Sequence, residues 1–484
     1  MVYDLIIVGG GPAGLTLAHC CSSISNLKIL IIERENQIGG CHRVNRVNYN
    51  NEKLFTEHGP RIYSSTYKNF DIILNEMNTS LTKLFKPYNF QLLSTDGQVS
   101  SSLISSTSST EILNVIFNFI KLLFDDNYGK NISMKSYLTD NNFSKKAIDT
   151  IDRLCRLSDG GGIEKYSLNE FLQLINQQGL YTIYQPKKPT DKELFVIWKG
   201  FLEKRGVDFI LNTDIDNFVI ENNNIKACII NNKKIEGKKF ILAIPPKNII
   251  NILDKNDMLK NSFGDYKLFN KWVKDTDYIE YVSITFHWNR KLNLKKVYGF
   301  PKSDWGVASI VLSDYMDFDE KTSKTLISTA ILYTDKISKY NNKTANQCMN
   351  KNELIEEVFR QLNETYTNLP KSYVALITPN NYNDDGEWES KDTAFISTYN
   401  ASYIPFKSKT ISNLYNLGTQ NGKSIYKFTS LESAVSNAIY LSTALYPKLK
   451  NKYNLKSTTT VRDILFYIFI IFIVLLIIWS IITI

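Results

Sequence analysis

Residues 5–14 read Leu5-Ile6-Ile7-Val8-Gly9-Gly10-Gly11-Pro12-Ala13-Gly14, and this stretch decides the fold. Four consecutive branched apolar residues predict a strand buried on both faces. The glycines follow at once, and the apolar run at 15–20 predicts a helix directly behind them. A second apolar run, Lys28-Ile29-Leu30-Ile31-Ile32, ends in Glu33. Together these make a βαβ unit with Gly9, Gly11 and Gly14 in dinucleotide spacing. Gly9 permits the tight turn, Gly11 lets a pyrophosphate approach the backbone, and Gly14 lets helix and strand pack closely. Pro12 and Ala13 sit in the same loop, where the free N–H groups of the helix start face the phosphates. Glu33, nineteen residues past Gly14, is placed to accept hydrogen bonds from a ribose diol.

At the other end, residues 464–484 read ILFYIFIIFIVLLIIWSIITI with no charge among them. At a helical rise of 1.5 Å this spans roughly 31 Å, the thickness of a bilayer's hydrocarbon core. A buried core helix would be shorter and polar on one side, so the expectation is a transmembrane tail anchor. Lys448, Lys450, Lys452, Lys456 and Arg462 precede it against one acid, Asp463. Such a basic flank is expected to stay cytosolic. The chain opens directly into its first strand without a signal-peptide core, so the catalytic body is expected in the cytosol.

The 484 residues suffice for two or three cooperating domains. The net charge of +9 lies partly in the segment before the anchor. No basic stripe interleaved with aromatics is present, which argues against a nucleic-acid partner. Six cysteines at 20, 21, 41, 155, 228 and 348 match neither a disulfide framework nor a zinc site. Four histidines at 19, 42, 58 and 287 show no ligand-like pairing, so no metal is expected. The abundance of Asn, Ile and Lys reads as compositional bias rather than function.

Glycine spacing alone does not separate NAD from FAD. The stretch after Glu33, Arg34-Glu35-Asn36-Gln37-Ile38-Gly39-Gly40-Cys41-His42-Arg43, resembles the second signature of the flavin-containing amine oxidase superfamily. That superfamily includes monoamine oxidases, protoporphyrinogen oxidases and phytoene desaturases. The resemblance implies that Arg34, Gly39 and Gly40 lie along FAD and that Arg43 supports its pyrophosphate. Glu57-His58-Gly59-Pro60-Arg61 resembles the segment that approaches the flavin ring, which implies cofactor contacts from Gly59, Pro60 and Arg61. A strand series through 207–246 resembles the return to the FAD domain, with Ile215 near the adenine and Ala243 at the strand end that closes over the cofactor. Finally, Asn413-Leu414-Tyr415-Asn416-Leu417-Gly418 and Thr429-Ser430-Leu431-Glu432-Ser433-Ala434-Val435 resemble the C-terminal strand and helix of the family. This implies that Gly418, Glu432, Ser433 and Ala434 adjoin the cofactor.

The chain departs from the family in three places. No cysteine follows Cys348, so the FAD is expected to be non-covalent. The paired tyrosines of amine oxidases have no clean match, with Tyr399 and Tyr426 only nearby. The strand Tyr281-Val282-Ser283-Ile284-Thr285-Phe286 lacks the lysine found near the flavin in many amine oxidases, and Lys302 is a distant candidate. No residue is read as the catalytic base.

The fold class expected is α/β: a Rossmann-like FAD-binding domain of the GR2 type, an α+β substrate domain and a C-terminal transmembrane helix. The FAD domain takes residues 1–100, 201–250 and 406–447, and a helical insert takes 101–200. A substrate domain with a mixed sheet takes 251–405, a basic linker 448–463 and the anchor 464–484. The Ser/Thr-rich stretch at 100–110 and the Asp159-Gly160-Gly161-Gly162 run read as loops. The function expected is hydride removal from a small-molecule substrate by flavin. A membrane-proximal site would suit an apolar substrate such as a prenyl lipid or a porphyrin. Three alternatives remain: a redox-neutral flavoenzyme of the UDP-galactopyranose mutase kind, a non-catalytic membrane-anchored scaffold, and an NAD-only dehydrogenase. Glu57-His58-Gly59-Pro60-Arg61 and Tyr426-Lys427-Phe428 lean toward the mutase.

Overall fold

The computed structural model describes residues 1–59, 61–88, 92–93, 99–100, 106–159, 161–275, 281–294, 296, 303–366, 368–391, 403–427 and 429–482. Pro60, Gly160, Lys302, Tyr399, Phe428, residues 101–105 of the Ser/Thr-rich stretch and the aromatic run expected at 394–399 lie outside them.

A five-stranded parallel sheet organises the dinucleotide-binding half. Its spatial order is Val207–Ile210, Ile29–Ile32, Leu5–Val8, Phe240–Leu242, Leu414–Asn416. The chain begins in the middle strand, builds outward to one side, then returns to build the other. The order therefore reverses between Leu5–Val8 and Phe240–Leu242, and in open parallel sheets ligands bind at such a crevice.

Both faces of the sheet are covered, as its unbroken apolar strands require. Leu5 and Ile7 turn to a core shared with helices Pro12–Cys21, Leu194–Lys204 and Leu431–Leu445. Ile6 and Val8 turn to the opposite core, with the antiparallel meander of residues 217–237 and helix Pro246–Leu253.

A second sheet has four strands in the order Ala308–Val311, Thr325–Ile331, Val282–Trp288, Val374–Ile377. Every pairing in it among the described residues is antiparallel, which corrects the expectation of a mixed sheet. Its strands alternate a face packed on helix Lys351–Thr365 with a polar face carrying Ser283, Thr285 and His287. Val282–Trp288 thus reads as half apolar, half buried polar, which periodicity alone assigns to either sheet type.

Helices Ser109–Phe124, Met134–Asp140, Lys145–Asp159 and Leu168–Gln178 form a separate apolar group. The last helix, Val461–Ile482, is 22 residues long, exposed from Ile464 onward, and long and apolar enough to cross a membrane. The segment before it is no free linker. Lys456 N–H donates to Asn69 Oδ1 at 2.8 Å, Asn69 Nδ2 donates to the Lys456 carbonyl at 3.0 Å, and Tyr181 donates to the Thr459 carbonyl at 2.6 Å. Arg462 pairs with Asp126 at 2.8 Å, and Val461 packs against the helical group.

Candidate functional site

A cleft of about 370 Å³ opens at the carboxyl ends of the five parallel strands. Val8, Ile32, Thr213, Ala243 and Leu417 line it, one from the end of each strand or just beyond. Gly9, Gly11, Pro12 and Ala13 form its floor. Gly9 has φ of +109°, and a Cβ there would overlap the Ala243 carbonyl oxygen. A side chain at Gly14 would overlap the Gly9 carbonyl. Gly14 lies outside the lining and acts through packing, the role expected for the third glycine.

Glu33 lines the cleft and is buried. Its Oε2 accepts the Gly10 N–H at 2.7 Å and its Oε1 accepts the Glu35 N–H at 3.0 Å. The acid expected at a ribose thus also ties the glycine loop to the second strand. Each carboxylate oxygen keeps a further lone pair for a ligand. Burial raises the Glu33 carboxyl above its usual range, partly opposed by those N–H donors.

Arg34, Gly40 and Arg43 line the opposite wall, with Gly418 and Ala434 completing it. Arg34 Nη2 donates to the carbonyl of Lys391, which also lines the cleft, at 2.7 Å. Gly39 is set back. At φ of +126° its N–H donates to the Gly10 carbonyl at 2.9 Å, and a Cβ would strike the Phe195 ring.

Glu432, Ser433, Ile215, Gly59 and Arg61 lie outside the cleft lining. Glu432 does not line the cleft: its Oε1 accepts the N–H and Nδ2 of Asn69 at 2.8 and 2.7 Å, and its Oε2 accepts the Phe70 N–H at 2.9 Å. The carboxylate caps helix Lys68–Glu76, and burial pushes it up to about 7. Ser433 is spent on a reciprocal cap with Ser430. Ile215 turns its side chain into the core behind the sheet, while its carbonyl accepts from Lys255. Gly59 packs on Tyr281 and Ser283. Arg61 lines a second, smaller cavity with Glu57, Gln185 and Tyr315. There Arg61 Nε lies 3.7 Å from Glu57, and the Arg61 carbonyl accepts Gln185 Nε2 at 2.6 Å. Burial pushes the Glu57 carboxyl up to about 7 against the pull of Arg61.

Residues not expected from the sequence complete the cleft: Asp214, Asn248, Asn251 and Lys255 at one end, Thr419 and Gln420 at the other. Asn248 and Asn251 lie on the helix opened by Pro245-Pro246, a start signal visible in the sequence. Lys255 carries no local signal.

This geometry is shared with known proteins. A family profile described as the NAD(P)-binding Rossmann-like domain matches residues 7–77. A putrescine oxidase structure with bound putrescine superposes with a TM-score of 0.65, covering 92% of this chain and 99% of that one at 11% identity. Cyclohexylamine oxidase of Brevibacterium oxydans gives a TM-score of 0.58 over 93% of this chain and 100% of its own, at 11% identity. The chain thus shares the fold of these solved oxidases. In sequence, UDP-galactopyranose mutase of Mycoplasma genitalium is 29% identical over 143 residues, 26% of this chain and 34% of that protein. The chain thus aligns with about a third of that relative's length.

The residues lining the cleft suit a dinucleotide. The glycine loop leaves the backbone open where a side chain would close it, and a buried carboxylate with free lone pairs faces the same space.

Proposed function

We propose that this chain is an FAD-dependent oxidoreductase, anchored in a membrane by residues 464–484 with its body on the cytosolic side. The observation that carries the reading is the cleft itself, walled by five strand ends and closed by a strand returning from Leu414–Asn416. In this reading Gly9 to Ala13 and the first turn of helix Pro12–Cys21 hold the diphosphate, and Glu33 holds a ribose. Arg43 supports the diphosphate from the Gly39-Gly40 side. Asp214, Asn251 and Lys255 surround the adenine end, and Gly418 and Ala434 flank the flavin end. Bound flavin supplies the redox chemistry. The chain binds and orients cofactor and substrate and excludes water. The substrate is a small molecule, and a site held near a membrane suits an apolar one.

The flavin is held non-covalently in this reading. Among the described residues Cys41 is the one cysteine lining the cleft, and it lies beside the diphosphate loop rather than at the C-terminal segment. The test is an absorption spectrum of the full chain purified in detergent. Bands near ~370 and ~450 nm that remain in solution after heat precipitation are expected. Amines, porphyrinogens and polyprenes are then screened for bleaching of the ~450 nm band. A folded preparation that is colourless and takes up no added FAD refutes the reading.

A second reading is the redox-neutral mutase, favoured by the 29% identity over 143 residues. It requires nucleotide-sugar turnover that appears only after the flavin is reduced, and oxidase assays with the same sugars should then be silent.

A further inference from the structure

Helix Ser109–Phe124 turns Phe119 and Leu122 into the core of the helical group. Its other large apolar residues face outward: Leu113, Ile116, Phe117, Ile120 and Phe124 are 63, 48, 60, 44 and 84% exposed. Their spacing of three and four residues, with one further turn to Phe124, sets them along one face. Over sixteen residues the stripe runs along a helix of about 24 Å. A contiguous apolar face of this kind marks an interaction surface.

Two observations identify what covers it. First, the stripe meets the base of the anchor. Asp126, two residues beyond Phe124, accepts from Arg462 Nη1 at 2.8 Å, and Arg462 lies two residues before the uncharged run begins at Ile464. The Arg462 N–H donates to Asn176 Oδ1 at 2.8 Å, and Val461 packs into the same core as Phe119 and Leu122. The exposed end of the stripe and the first apolar turn of the anchor are thus fixed to one ion pair. Gly179 also approaches the anchor's start, since a Cβ there would meet Val461 Cγ2 at 3.6 Å, and the adjacent Leu180 is half exposed. Second, lysines lie at the stripe and at its ion pair. Lys121 Nζ sits 4.7 Å from the Phe117 ring centroid, and Lys427 lies 3.5 Å from Asp126. An apolar helix face edged by lysines matches a helix lying in the interface of an anionic bilayer.

We propose that helix Ser109–Phe124 is a second membrane contact, its stripe inserted into the headgroup–acyl boundary of the bilayer that the anchor crosses. This rests on the anchoring stated above. The body is then fixed at two points, which sets its orientation on the membrane as well as its location.

The test uses the full chain in phosphatidylcholine–phosphatidylserine vesicles, with an environment-sensitive nitrobenzoxadiazole label at one introduced cysteine. Phe117→Cys and Ile120→Cys probe the stripe, Trp479→Cys the anchor, and Lys233→Cys the exposed meander far along the chain. The wild-type chain, labelled in parallel, gives the background from Cys41. Labels at 117 and 120 should emit to the blue of the label at 233. Shallow doxyl lipids should quench them about twofold, as they quench the label at 479. Circular dichroism of each variant verifies the fold. If the label at 479 is quenched and those at 117 and 120 are not, the proposal is overturned: emission like that at 233 means the stripe faces water, and blue emission means a protein or a second copy covers it. If no label is quenched, the anchor reading itself fails and this proposal falls with it.

Discussion

Glu33 and Glu432 are both acids that the family resemblance points at the cofactor, and their partners separate them. Glu33 is bound by residues close in the chain, Gly10 and Glu35, so its place at the loop was legible from spacing. Glu432 is claimed by Asn69 and Phe70, more than 360 residues away, and no local pattern reveals a cap of that kind. Burial raises Glu57 and Glu432 to about 7 from an ordinary 4.5. A carboxyl that holds its proton more tightly in the folded chain stabilises the fold fully below its unfolded value. That contribution is lost as pH rises through the folded value. Stability should therefore fall between pH 4.5 and about 7, by up to about 3 kcal/mol per carboxyl. Thermal melts across that range should show the decline, and Glu57→Gln should reduce it by about half; a melting temperature that does not change over the window contradicts the burial account. Gly9 offers a second check. Gly9→Ala places a methyl against the Ala243 carbonyl at positive φ. It should cost about 1–3 kcal/mol and abolish flavin retention, read by denaturant melts and by the flavin absorbance of the purified variant.

At the scale of elements, the asparagine content has a structural outlet that composition alone concealed. Asn50-Asn51, Asn222-Asn223 and Asn231-Asn232 each join two antiparallel strands, and all six residues have positive φ. Two-residue turns of this hand match the twist of the strands, and asparagine tolerates them. Asn223→Ala should destabilise by about 1 kcal/mol, whereas Asn223→Gly should be neutral or slightly stabilising. Equal melting curves for the two variants would deny the turn its energetic role. The helix and strand types around these turns were readable from periodicity. The antiparallel order of the Val282–Trp288 sheet was not, because its buried serines, threonines and histidine hide the alternation. The strap before the anchor was equally hidden, since Asp126 and Arg462 are 336 residues apart. Asp126→Ala removes the partner of Arg462, Lys427 and Gln173 at a half-exposed site. Such pairs contribute about 0–1 kcal/mol, so the melting temperature should barely move. Trypsin cleavage after Lys456 and Arg462 should accelerate severalfold; an unchanged cleavage rate would mean that other contacts hold the strap.

Across the whole molecule, the cleft is assembled from strands at residues 5–8, 29–32, 207–210, 240–242 and 414–416. A chain ending at residue 413 keeps the glycine loop and Glu33 but lacks the fifth strand, Gly418 and Ala434. It should retain no flavin after gel filtration, and retention would show that the C-terminal return is dispensable. The sheet order also has a kinetic consequence. Its neighbours Leu5–Val8 and Phe240–Leu242 are separated by more than 230 residues, and Leu414–Asn416 joins later still. Closing loops of that length before any pairing rewards them makes folding slow. A ribosome making this chain therefore exposes the apolar strand Leu5–Val8 long before its last neighbour exists. That edge stays open to misassembly for about half of translation, and the pocket matures only when the final strand docks.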